Sequence, residues 1–113
     1  MTQEEILDYN KLCAEFLNLH RDEEVAIYKF NAYPYEYLRF NSDWNWIMEV
    51  IDNIEKLGFN FDSYNPIGIG KDGFYEFNIW NRLNPEIQGR GNTSKEAYID
   101  AINQFLIWYN ENN

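Results

Sequence analysis

The stretch Ser42–Gly58, SDWNWIMEVIDNIEKLG, decides the fold. Ser42 is a suitable N-cap, because its hydroxyl can accept a hydrogen bond from a free amide of the first turn. Asp43 adds negative charge at the positive end of the helix dipole, and Lys56 adds positive charge at the other end. Gly58 follows as a left-handed C′ residue. Between these ends Trp44, Ile47, Met48, Ile51 and Ile54 recur at steps of three and four, which is one face of a helix. Glu49, Asp52 and Glu55 fall on or near the opposite face. Trp46, Val50 and Leu57 widen the apolar arc. The reading is a central helix over 43–57, packed on more than one side.

C-terminal to it the pattern changes. FNFDSY, residues 59–64, alternates apolar and polar side chains and reads as a strand. Asn65-Pro66 breaks it, and Ile67 to Gly70 extends an edge or forms a loop. Lys71-Asp72-Gly73 is a hairpin signal. FYEFNIW, residues 74–80, is a second strand, with Tyr75, Phe77 and Ile79 on the core face. Phe74, Glu76, Asn78 and Trp80 share a mixed face. Asn81 to Pro85 is a loop. EIQGR, residues 86–90, is a short third strand weakened by its glycines. Thr93 opens the last helix, over 94–110, with Glu96 at capping-box spacing. Tyr98, Ala101, Ile102, Phe105, Leu106, Trp108 and Tyr109 form its broad apolar band.

N-terminal to the central helix, residues 3–17 read as a helix with Thr2 and Glu5 at capping-box spacing. Ile6, Tyr9, Leu12, Cys13, Phe16 and Leu17 make its apolar face. His20 to Glu24 is a charged break. VAIYKFN, residues 25–31, has strand-like composition, and AYPYEYLRF, residues 32–40, is an extended tyrosine-rich piece broken by Pro34. The fold class is α+β. A small antiparallel sheet over 59–90 is covered by the central and C-terminal helices. The N-terminal helix and the tyrosine-rich segment complete the core.

A chain of 113 residues fits one domain, here 1–113. Aromatic residues make up 19% of it, enough to supply a core and leave rings for a partner. A net charge of −10 disfavours direct contact with nucleic acid or anionic membrane and favours solubility and basic partner surfaces. The single cysteine, Cys13, permits no internal disulfide, which fits a reducing compartment. MTQEEILDYN carries no basic-then-apolar signal, and no apolar run reaches membrane-spanning length. The expected location is cytoplasmic.

Motifs for chemistry are missing. GIGKDG, residues 68–73, is not followed by GKS, GKT or a helix, so a hairpin turn accounts for it better than a phosphate loop. One histidine and one cysteine exclude a zinc site, and no calcium-type loop occurs. His20 reads as a solvated loop residue. Glu76 is the only acid placed mid-strand among aromatics, and a solvent-facing carboxylate is the plainer account of it. Ser42, Ser63 and Ser94 lack a histidine base. Arg82 and Arg90 near Trp80 are too few for a nucleic-acid footprint. No cofactor is implied, and the chain reads as a non-enzyme.

Three stretches carry a resemblance. MTQEEILDYNKLCAEFL at 1–17, SDWNWIMEVIDNIEKLG at 42–58 and SKEAYIDAINQFLIWYNENN at 94–113 resemble small proteins of Bacteroidetes phages and prophages, of the phage alpha-beta-alpha sandwich type. Residues 20–41 and 62–90 have no part in it. The resemblance implies a helix–sheet–helix layout and an origin in mobile elements. It implies no enzyme and no site residues.

Charge, aromatic excess and resemblance together point to an acidic interaction protein that binds a partner protein. Its most specific form is an inhibitor of a bacterial defence nuclease complex, of the anti-CRISPR kind, docking on a basic surface. The alternative is a phage accessory or structural domain that self-associates, so the chain is expected as a monomer or a homodimer. The candidate partner-binding residues are Tyr33, Tyr35, Tyr37, Asp22, Glu23, Glu24 and Glu36, which place rings and carboxylates outside the predicted helices.

Overall fold

The computed structural model describes residues 1–20, 38–64 and 74–112. The described residues form an α+β arrangement of three helices and one three-stranded antiparallel sheet. The helices are α1 (Gln3–His20), α2 (Trp44–Lys56) and α3 (Ser94–Asn112). The strands are β1 (Asn60–Tyr64), β2 (Tyr75–Trp80) and β3 (Ile87–Gly91). The predicted strand at 25–31, the tyrosine-rich piece up to residue 37 and the hairpin turn at 71–73 lie outside the described residues. The chain divides into two compact units, 1–53 and 54–113.

In the first unit, α1 begins with the predicted capping box. Thr2 N–H donates to Glu5 Oε1 at 2.9 Å, and Glu5 N–H donates to Thr2 Oγ1 at 3.1 Å. The Thr2 backbone amide holds the Glu5 carboxyl below its ordinary range. The helix runs three residues beyond the predicted end, to His20, so the charged break does not start at His20. Tyr9, Cys13, Phe16 and Leu17 are buried as the spacing requires, while Ile6 and Leu12 are half-buried. Asn10 is also buried. Its amide donates to the Leu38 carbonyl at 3.1 Å, which ties α1 to the segment where Leu38 and Phe40 enter the core.

α2 departs from its sequence reading in two ways. Its N-cap is Asp43, whose Oδ1 accepts from the Asn45 amide at 2.8 Å; Ser42 lies in the preceding turn, donating its amide to the Arg39 carbonyl. Aspartate caps as well as serine and adds charge at the dipole's positive end. The buried side is Ile47, Val50, Ile51 and Ile54. At roughly 100° per residue, Trp44 and Met48 lie on the flank of that arc, and both are exposed. Gly58 ends the helix with φ 96°, the left-handed conformation a C′ glycine supplies, and its amide donates to the Glu55 carbonyl at 2.9 Å.

In the second unit the strands run in the order β1-β2-β3. Phe61 of β1 lies opposite Ile79, and Gly89 of β3 lies opposite Phe77. Side chains directly opposite share a face. Phe77 and Ile79 are buried on the predicted core face, and Phe77 stacks between Phe61 and Tyr98 of α3, with ring centroids 5.5 and 3.8 Å away. The third strand spans Ile87–Gly91, one residue later than predicted, and its glycines are structural. A Cβ on Gly89 would overlap the backbone nitrogen of Ala101 and the carbonyl oxygen of Ala97. β3 therefore needs glycine to let α3 lie directly on it.

The helix also closes the outer edge of β3. Asp100 Oδ2 accepts from the Arg90 amide at 2.9 Å, and Gln104 Nε2 donates to the Gln88 carbonyl at 2.9 Å. These two groups would otherwise invite another strand. At the other end of α3, Phe105 is fully buried among Phe59, Trp108 and Tyr109, with centroids 4.9 to 5.8 Å apart.

Candidate protein-binding surface

The residues proposed from sequence for partner binding, Asp22, Glu23, Glu24, Tyr33, Tyr35, Glu36 and Tyr37, all lie outside the described residues. The described surface still carries both ingredients that the reading needs. Among the described residues, those of the first unit hold seven acids against two bases, and those of the second hold seven against four. The net negative charge is thus the larger in the first unit.

Within that unit the outer face of α2 combines rings, thioether and carboxylates. Trp44 and Met48, one turn apart, are 39% and 40% exposed. Asp52 continues the same line a turn further on and is exposed. Asn45, Trp46, Met48, Glu49 and Asp52 surround a shallow depression of about 560 Å³. Phe40 packs edge-on to Trp46, centroids 5.0 Å apart, which anchors the depression's aromatic wall to the core. Such a surface offers the aromatic and thioether contact area found at interface centres, with charge at its rim. The sequence reading placed Trp44 and Met48 on the core face. The available signal was the second stripe, Trp46 and Val50, which pulls the buried arc away from them.

On α1, Glu4, Asp8 and Glu15 line one exposed face at steps of four and seven, with Lys11 between them. This is a solvated acidic helix face.

The second unit presents two other features. On the sheet face away from α3, Glu76 accepts from Arg90 Nε at 3.0 Å and from the Asn78 amide at 3.1 Å. The Glu76 carboxylate is therefore held in an ion pair with a side-chain amide beside it. Arg90 also lies 4.9 Å from the Phe74 ring centroid, a cation–π contact. Asn78 is 8% exposed, and its Oδ1 is buried without a hydrogen-bond partner.

The other feature is a cleft of about 480 Å³ at the end of the sheet. Its walls are Leu57, Phe59, Trp108 and Tyr109, with the amides of Asn81, Asn84 and Asn112 and the side chain of Leu83 at the edge. The loop 81–84 is organised by one oxygen. Asn81 Oδ1 accepts from the Leu83 amide at 3.0 Å, the Asn84 amide at 2.9 Å and Asn84 Nδ2 at 3.1 Å. Asn and Asp form such turns readily, because the side chain substitutes for a backbone acceptor. The turn holds Leu83 outward at 90% exposure. In the sequence this was a loop without a role, although a leucine between two asparagines was a visible oddity.

Cys13 is a buried free thiol. Burial pushes it far above its ordinary value and does the same to the Tyr9 phenol one turn away. A buried, protonated thiol is inert. Among the described residues no three His, Cys, Asp or Glu side chains are placed to hold a metal ion, and no helix is long and apolar enough to cross a membrane. No protein-family model, curated protein or solved structure matches the chain.

Proposed function

We propose that this chain is a non-enzymatic interaction protein that docks its acidic surface on a basic surface of a protein partner. The observation that carries the reading is the outer face of α2, where exposed Trp44 and Met48 stand beside Glu49 and Asp52 in the more acidic unit. The rings and thioether supply anchors that exclude water, and the carboxylates steer a basic surface toward them. With the phage resemblance, the specific form of the proposal is an inhibitor of a bacterial defence nuclease complex. Such nucleases present basic channels for nucleic acid, which an acidic domain of this size can occupy.

The test is capture with the tagged chain from a bacterial lysate that contains defence nucleases, comparing wild type with two variants. Trp44→Ala should weaken binding by about 30-fold, the loss of a central tryptophan anchor. Asp52→Lys should slow association several-fold, by about one decade at low salt, and flatten its salt dependence. Circular dichroism should show both variants folded. Unchanged binding by both would remove the α2 face from the reading.

A further inference from the structure

We propose that the cleft at the end of the second unit is a contact with a second copy of this chain, in which Leu83 of each copy enters the cleft of the other. Three observations lead there. The first is the state of Leu83. A leucine exposed at 90% on a mobile loop would be unremarked, but this one is held out by the Asn81 hub. The backbone that carries the side chain is already ordered, so docking costs only the freedom of the side chain itself.

The second observation is adjacency. The protruding side chain borders the hollow it would fill, since Leu83 itself stands at the edge of the cleft formed by Phe59, Trp108 and Tyr109. A two-fold contact requires one patch to be complementary to itself, with each residue meeting the other copy's counterpart surface. A knob beside a hole on one patch meets that condition. A partner of another kind would need only the hole.

The third is charge. Two copies at −10 repel each other over most of their surface. Every side chain lining this cleft is uncharged. The charged residues next in sequence to the lining, Lys56, Arg82 and Glu111, are exposed and of both signs. An uncharged, partly aromatic patch is where such a chain can meet itself at the least electrostatic cost. The residues differ from those of the α2 face, and the two contacts respond to salt in opposite directions. Salt screens repulsion between copies and strengthens self-association, whereas it weakens docking on a basic partner.

The experiment is sedimentation equilibrium of the full chain over a range of concentration and salt, paired with amide NMR shifts. The expected result is a monomer–dimer equilibrium that moves toward dimer as salt rises. Shifts on concentration should centre on Asn81, Leu83, Asn84 and the Trp108 indole. Leu83→Asp should raise the dissociation constant by at least about 100-fold, since it sets a carboxylate against Phe59 and Trp108 in a cleft whose lining holds no cation to meet it. Leu83→Met, which keeps an apolar knob, should retain the dimer. A monomer at every salt and concentration would overturn the proposal. So would a dimer indifferent to Leu83→Asp, or cleft shifts that appear only when a different protein is added. Any of these leaves the α2 proposal standing, because that is read by Trp44 and Asp52.

Discussion

Replacing Gly89 with alanine should destabilise the protein by roughly 3 kcal/mol or more, at the upper end of overpacking effects. The added methyl would run into the backbone of α3 at Ala97 and Ala101, and its distance to Ala101 Cβ would be 2.5 Å. Backbone cannot rotate away as a long side chain can, so either α3 lifts from the sheet or β3 detaches. Lifting the helix separates Tyr98 from Phe77 and withdraws Asp100 and Gln104 from the edge of β3. In a thermal melt the midpoint should fall by on the order of 10 °C. Gly58→Ala is the informative control. Gly58 also requires its glycine, but for its positive φ alone, and a Cβ there meets nothing within 4 Å. Its expected cost is about 1 kcal/mol, the penalty of a left-handed residue with a side chain. Equal melting points for the two variants would contradict the placement of α3 on β3.

Phe105→Ala should cost about 3–5 kcal/mol, the range for removing a fully buried phenylalanine. Phe105 is completely buried and touches three other rings, so its removal leaves a hollow that stiff aromatic neighbours cannot close. Chemical denaturation should report this as a lower midpoint with an unchanged slope. Phe105→Leu should recover part of the loss by restoring volume without the ring contacts. If Phe105→Ala were nearly neutral, the cluster around Phe59 would not be a packed core, and the floor of the Leu83 cleft would go with it.

Much of the fold was legible because its signals are local. The Thr2–Glu5 and Thr93–Glu96 spacings marked two helix starts, and Gly58 marked a stop, because capping chemistry depends only on neighbours. The alternation of Tyr75, Phe77 and Ile79 gave the core face of β2, because strand period is also local. What was missed depends on distant chain. Gly89 read as a weak point of a strand, and only the approach of α3 explains it. Trp44 and Met48 read as core, because a helix with two interlaced apolar stripes does not state which flank faces water. Leu83 read as loop, because the cleft beside it is assembled from Leu57, Phe59 and the last turns of α3. The acidic and tyrosine-bearing candidates of 22–37 rest on sequence alone.

In the proposed function the acidic surface takes the place of nucleic acid on a basic partner. The most direct measurement is competition for the captured partner between this chain and double-stranded DNA, followed over a salt series. DNA should displace the chain, and the chain's affinity should fall steeply as salt rises. Simultaneous binding of chain and DNA, with an affinity insensitive to salt, would contradict it.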